Sequence, residues 1–186
     1  MKNLWNKSQS LQYIKHYKKY NVSNDLALRI YTTHLLGSEK KLVLHGGGNT
    51  SVKSFAKDTD GEVHEVIYVK GSGSDLATIE AKDFPAVKLK PLDKLTKRAF
   101  VTDEEMVSHL RKNLIDGNSP NPSVETLVHA AIKEKFIDHT HSNAILEISN
   151  RKYGLNLCHK IFGKDILVVP YVMPGFMLAK KVYEIY

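Results

Sequence analysis

Apolar positions follow a helical period in some stretches of the chain and a strand period in others, and the two interleave from end to end. From about Ser8 to Tyr20, basic and aromatic residues alternate at helical spacing, which predicts a first helix. Ser23-Asn24-Asp25 is an N-cap cluster for a second helix running to about Leu36, with Gly37 as its stop. Lys41-Leu42-Val43-Leu44 reads as a short buried strand, and Gly46-Gly47-Gly48-Asn49-Thr50-Ser51 as the loop that leaves it. Asp58-Thr59-Asp60-Gly61 is a turn between two strand-like runs, predicting a β-hairpin whose second strand, Glu65 to Lys70, ends in Gly71-Ser72-Gly73-Ser74. Between Asp75 and Leu95 the pattern gives a helical piece, a short strand around Ala86-Val87-Lys88-Leu89, and a break at Pro91.

Thr102-Asp103-Glu104-Glu105 opens a helix that continues to about Ile115, and Asp116 to Pro122 is a loop. Ser123 caps the next helix, Val124 to about Lys135. A strand is expected over Phe136 to Ile148, a helix over Tyr153 to Phe162 ending at Gly163, and a strand over Asp165 to Pro170. Pro174-Gly175 is a turn, and Phe176 to Tyr186 is the start of a helix. No repeat or linker divides the chain, so one α/β domain over residues 1–186 is the simplest organisation.

Composition narrows the function classes. The 186 residues are 42% hydrophobic and 25% charged, ordinary for a soluble domain with a core. No apolar run approaches the roughly 20 residues a membrane helix needs, and the N-terminus lacks an apolar signal region. Cys158 is the only cysteine, so no internal disulfide forms, which suits the reducing cytoplasm expected for this chain. The net charge of +7 comes mostly from scattered lysines without an arginine-rich block. It favours attraction for anionic small molecules over nucleic acid, and neither nucleic acid nor membrane is expected as a partner.

Chemistry concentrates at His139-Thr140-His141, preceded by the apolar pair Phe136-Ile137. On an extended strand the i, i+2 spacing puts both imidazoles on one face, where they can chelate Zn²⁺. By spacing alone the pair stays open between metal ligands and ordinary strand residues. Asp138 points to the opposite face. Glu125 lies one short helix upstream and suits general acid/base work, or equally a first-turn carboxylate favoured by the helix dipole. His129, at i+4 from Glu125, reads as packing. The two glycine-rich loops match neither a Rossmann nor a Walker motif, but their backbone N–H groups and hydroxyls suit an anion pocket.

Five ordered stretches together resemble the class II aldolase/adducin family, most closely the aldolase domain of rhamnulose-1-phosphate aldolase/dehydrogenase-type proteins. They are Leu44-His45-Gly46-Gly47-Gly48-Asn49-Thr50-Ser51-Val52-Lys53, Val69-Lys70-Gly71-Ser72-Gly73-Ser74-Asp75-Leu76, Pro122-Ser123-Val124-Glu125-Thr126, Asp138-His139-Thr140-His141 and Val168-Val169-Pro170-Tyr171-Val172-Met173-Pro174-Gly175. The resemblance implies a three-layer α/β/α fold with a mostly antiparallel central sheet. It also implies Zn²⁺-dependent cleavage of a ketose 1-phosphate to dihydroxyacetone phosphate and an aldehyde, and a homo-oligomer, a tetramer by family pattern. By motif, Asn49, Ser51, Ser72, Gly73 and Ser123 would hold the phosphate. Glu125 would shuttle the proton, with a pKa raised by burial, and His139 and His141 would be two of three zinc histidines.

The resemblance also marks departures. Val124 stands where simpler family members often carry a second serine. The third metal histidine is expected beyond the helix after Pro174-Gly175, yet no histidine follows His159, and the family's last helix and strand are expected to be missing. His45, His129, His159 or a neighbouring subunit are the alternatives for a third ligand. The competing readings are a sugar-phosphate epimerase and a catalytically impaired homologue that serves as a binding or structural module.

Overall fold

The computed structural model describes residues 2–186 and is built on one four-stranded sheet in which every strand pair is antiparallel. The strands are β1 (Asn49–Lys57), β2 (Val63–Val69), β3 (Ala86–Lys88) and β4 (Phe136–His139), in the order β3-β2-β1-β4. The β1–β2 hairpin turns where Asp58 is predicted to turn it. Asp58 Oδ1 accepts from the backbone N–H groups of Asp60 at 3.1 Å and Glu62 at 2.9 Å, an Asx-type turn.

Side chains alternate across β1, and each face meets its own layer of helices. Val52 and its cross-strand neighbour Tyr68 face α1 (Lys7–Lys18) and α2 (Asn24–Gly37), in a core with Leu26, Ile30, Ile79 and Phe84. Ile67 and Val87 face α3 (Leu89–Thr96), α4 (Asp103–Lys112), α5 (Thr126–Ala131) and α8 (Phe176–Ile185), in a core with Leu92, Leu110, Leu127 and Phe176. Each fully buried Leu or Phe contributes roughly 2–3 kcal/mol relative to exposure. The fold is therefore α/β in three layers with an antiparallel centre, as the resemblance implied.

The helix starts follow local chemistry. Asn6 accepts from Gln9 N–H at 3.1 Å and Ser23 from Leu26 N–H at 3.2 Å, and Thr102 forms a capping box with Glu105. Pro91 does not break the chain as expected. It occupies the first turn of α3, where its missing N–H would have had no helical acceptor.

Four further expectations are corrected. Lys41–Leu44 is not a strand but a tight turn, with the N–H groups of Leu42 and Val43 both donating to Glu39 O. The helix after Ser123 is shorter than expected at both ends: it starts at Thr126 with Glu125, not Ser123, in the N-cap position, and it stops at Ala131. The strand expected to reach Ile148 ends at His139, because His141 N–H donates to Leu42 O at 2.8 Å rather than to a neighbouring strand. The residues beyond it form α6 (Asn143–Ser149), where Ala, Leu and Glu favour helix, and α7 (Gly154–Phe162) packs beside it. The segment Asp165–Pro170 joins no sheet.

Candidate active site

The N-terminal end of β1 and the C-terminal end of β4 meet at the register pair Asn49↔His139. Gly48 lets the chain enter β1 there. Its φ is +65°, and a Cβ would sit 2.6 Å from His139 O and 2.8 Å from Val43 Cγ1. Around this junction lies a cleft of about 320 Å³. One wall is Gly46, Gly47, Gly48 and Asn49, and another is Lys70, Ser72 and Gly73. Ser123, Val124, Glu125, His139, His141 and Pro174 complete it.

The second and third walls are laced together by backbone. Ser72 N–H donates to Asn121 O at 2.8 Å, and Ser123 N–H to Lys70 O at 3.1 Å. Glu125 sits just ahead of α5, in the N-cap position. Its Oε2 accepts from Asn49 Nδ2 at 2.5 Å and lies 3.0 Å from His139 Nδ1. Asn49 Nδ2 also donates to Ser123 Oγ at 3.2 Å. The rings of His139 and His141 are 4.8 Å apart between centroids, and His141 lies along the glycine loop. Burial by itself raises the Glu125 pKa. The hydrogen bond and charge of His139, the Asn49 amide and the charge of His129 outweigh it, so the group rests below the ordinary carboxylate value. That reverses the raised pKa expected from burial alone.

Residues 28–185 match the family described as "Class II Aldolase and Adducin N-terminal domain". The chain belongs to the class II aldolase and adducin family. The chain is 45% identical over 155 residues to a protein of Bacillus subtilis described as "Uncharacterized oxidoreductase YuxG". That match covers 83% of this chain but 22% of the relative, so the chain corresponds to about a fifth of that protein's length. A solved structure, the N-terminal class II aldolase domain of a conserved protein from Thermoplasma acidophilum, superposes with a TM-score of 0.86 at 37% identity. It covers 100% of this chain and 81% of that one.

Seven of the residues singled out from sequence line this class II aldolase-type cleft: Asn49, Ser72, Gly73, Ser123, Glu125, His139 and His141. Ser51 does not. It is fully buried two residues further along β1, with its hydroxyl 2.8 Å from His129 Nδ1. Ser51 thus supports the wall instead of reaching the cleft. His129 is buried with it, and burial, then the charge of His139, push its pKa down to about 4. His45 is exposed on the glycine loop and His159 is exposed on α7.

Two buried charges, one in the cleft wall and one behind the sheet, carried no role in the sequence reading. Lys70 is 3% exposed, and its ammonium donates to Gly46 O at 2.7 Å and Ser74 O at 2.8 Å, tying the two glycine loops together. Burial lowers its pKa against the attraction of Asp75 and Glu125. Its sequence signal was a lysine closing an apolar strand directly before Gly71-Ser72-Gly73. Arg29, 1% exposed, donates to the carbonyls of Ser51 at 3.3 Å and Ile137 at 3.4 Å and pairs with Asp138 at 2.5 Å. Its signal was a charge on the apolar face of α2, in line with Leu26, Ile30 and Thr33.

A separate set of donors lies at the far end of β1. Single donor atoms of Asp58, Glu62 and His64 fall within 4.8 Å of one another, close enough for a divalent ion. His64 Nε2 is 2.6 Å from Asp58 Oδ2, and Lys88 Nζ is 3.5 Å from the same oxygen. That oxygen is already neutralised by two cationic or donor groups. The cluster serves as it stands to pin the hairpin turn to β3.

Proposed function

We propose that the chain forms the aldolase unit of a metal-dependent lyase that reversibly cleaves a ketose 1-phosphate to dihydroxyacetone phosphate and an aldehyde. The observation that carries this reading is a single carboxylate, Glu125, fixed beside two adjacent imidazoles in a cleft that also holds a buried ammonium. Two neighbouring nitrogen donors suit Zn²⁺, and the carboxylate at His139 Nδ1 is the partner a metal-bound imidazole takes through its second nitrogen. A divalent ion held by His139 and His141 would supply Lewis-acid polarisation of the substrate carbonyl.

The remaining work falls to the chain's own residues. Glu125 removes the proton α to the carbonyl of dihydroxyacetone phosphate in the condensation direction and returns it in cleavage. Lys70 uses two of its three ammonium hydrogens on the glycine loops, which leaves the third for a phosphate oxygen. The hydroxyls of Ser72 and Ser123 lie on the same walls. The amide of Ser72 is committed to Asn121, so its hydroxyl is the part it offers. Ser123 Oγ accepts from Asn49 and from Glu125 N–H and keeps its own hydrogen to donate. Phosphate held this way orients the reacting carbons with binding energy remote from the bond broken.

The deciding experiment pairs elemental analysis with an assay for dihydroxyacetone phosphate release from a panel of ketose 1-phosphates. Stoichiometric zinc and release that disappears in Glu125→Ala, with metal retained, support the reading. A folded protein that takes up no metal after zinc reconstitution supports the binding-module alternative instead. Apolar side chains left exposed on α6 and α7, among them Ile145, Leu146, Leu155 and Ile161, favour a homo-oligomer. Sedimentation that finds only monomer at micromolar concentration would count against it.

A further inference from the structure

We propose that a second copy of this chain docks on the surface formed by residues 142–173 and that this docking steadies the cleft, an inference that rests on the oligomer and metal readings above. Over those residues only Gly154 and Cys158 are buried. α6 carries no buried residue, and α6 and α7 pack mainly on each other and not on the sheet. The stretch 166–173 is apolar throughout, and among the described residues none of its backbone groups bonds to another backbone group. Loops that face water are built from glycine, proline and small polar residues, so an apolar segment without backbone partners is one that a partner covers.

Area and charge choose the occupant. Tyr153, Leu155, Ile161, Leu167, Tyr171 and Met173 leave on the order of 700 Å² of side chain in water, close to the roughly 800 Å² that one partner gives to a standard interface. A small ligand would cover a fraction of that. Glu147 and Asp165 share the surface with Lys152, Lys160 and Lys164, so it carries both signs of charge. Such a surface complements a copy of itself, whereas an anionic membrane or nucleic acid asks for one sign.

The cleft is tied to this surface at both ends. His141, one cleft residue, directly precedes it, and Pro174, another, directly follows it. The near end is held by His141 N–H to Leu42 O at 2.8 Å and Asn143 N–H to Lys41 O at 3.1 Å, and the far end by Phe176 N–H to Asp103 Oδ1 at 2.9 Å. Little within the chain holds what lies between, so local opening there costs little and displaces His141 and Pro174. A docked copy favours the ordered arrangement, with His141 beside His139. The coupling is reciprocal: assembly tightens zinc binding, and zinc tightens assembly by the same factor.

The test compares wild type with the double variant Leu155→Lys/Ile161→Lys, whose substitutions fall on exposed positions of α7. Sedimentation velocity over a micromolar concentration series reads the assembly, chelator competition the zinc affinity, and hydrogen–deuterium exchange the protection of residues 166–173. The expected wild type assembles, and more tightly with zinc. The expected variant stays monomeric, binds zinc about tenfold more weakly and exchanges the amides of 166–173 faster. A wild type that is monomeric throughout the series, or a variant that assembles like it, would overturn the docking surface. A monomeric variant with wild-type zinc affinity would overturn the coupling. Dilution of wild type repeats the exchange measurement without any substitution, so a variant that misfolds leaves the test intact: amides of 166–173 that exchange equally fast in assembled and dissociated protein refute the proposal. If wild type takes up no zinc, the lyase reading fails, while sedimentation and exchange still decide the docking.

Discussion

Lowering the pH from 7 to 5 should destabilise the protein through His129, and the loss should vanish in His129→Gln. The imidazole is 2% exposed, and burial, then the nearby charge of His139, push its pKa down to about 4 against an ordinary value of 6.5. Between those two values the unfolded chain binds a proton that the native state refuses, so stability rises with pH across that window. The full contribution is present above pH 6.5, is lost as pH falls toward 4, and changes no further below that. Integrating the two titrations gives a loss of about 2 kcal/mol between pH 7 and 5. Urea unfolding at several pH values measures it, and the difference between wild type and His129→Gln cancels the other titrating groups. Gln keeps a polar atom for the Ser51 hydroxyl, now 2.8 Å from His129 Nδ1, without a proton equilibrium in this range. Parallel stability curves for the two proteins from pH 7 to 5 would refute the reasoning, as would an NMR titration of His129 near 6.5.

Three other perturbations test the scaffold. Arg29→Met should cost about 3 kcal/mol in chemical denaturation, because it strips two strand carbonyls and Asp138 of a buried cation; a loss under about 1 kcal/mol would make the pair a surface-type contact. Gly48→Ala should destabilise by about 1–3 kcal/mol, since φ is +65° and the new methyl meets His139 O at 2.6 Å; an unchanged melting temperature would contradict that clash. His64→Gln should let the Asp58 carboxyl, held at about 2 chiefly by its hydrogen bond to His64, climb toward 3.8 in an NMR titration. No movement would assign the low value to the turn's backbone donors instead.

Much of this arrangement was legible in the chain because the determining signals are local. Ser23 and Thr102 cap the helices they were expected to open, and the Asp58 turn closes its hairpin. The motif residues that meet in the cleft sit at strand ends and glycine turns, where sequence restricts backbone strongly. What failed depended on partners distant in sequence. Lys41–Leu44 and Asp165–Pro170 have strand-like composition but no neighbouring strand to accept their hydrogen bonds. The run after His139 turns helical because Leu42 intercepts the His141 amide. Ser51 was expected at the phosphate because it shares a motif with Asn49. Both point to the same face of β1, but the site closes over Asn49, and His129 covers Ser51. Lys70 and Arg29 escaped because a charge in an apolar context reveals its role only when its acceptors are known.

The alternation of β1 explains why the site and the scaffold behave as one object. Asn49, Ser51 and Lys53 point toward α5, where they meet Glu125, His129 and the carbonyl of Ile132 in turn. Thr50 and Ser54 point the other way, to Thr33 at 2.8 Å and Asp25 at 2.8 Å on α2. Arg29 reaches from that same helix to the carbonyls of Ser51 and Ile137, which face each other two register pairs along from Asn49↔His139. The guanidinium thus clamps β4 to β1 two pairs behind the imidazole and the amide that share Glu125. A disturbance on the α2 side of the sheet should therefore reach the carboxylate on the other side through the β1–β4 ladder. On this argument Arg29→Met lowers metal affinity as well as stability, although Arg29 faces away from the cleft. A variant that loses stability but binds zinc as tightly as wild type would show the two faces to be independent.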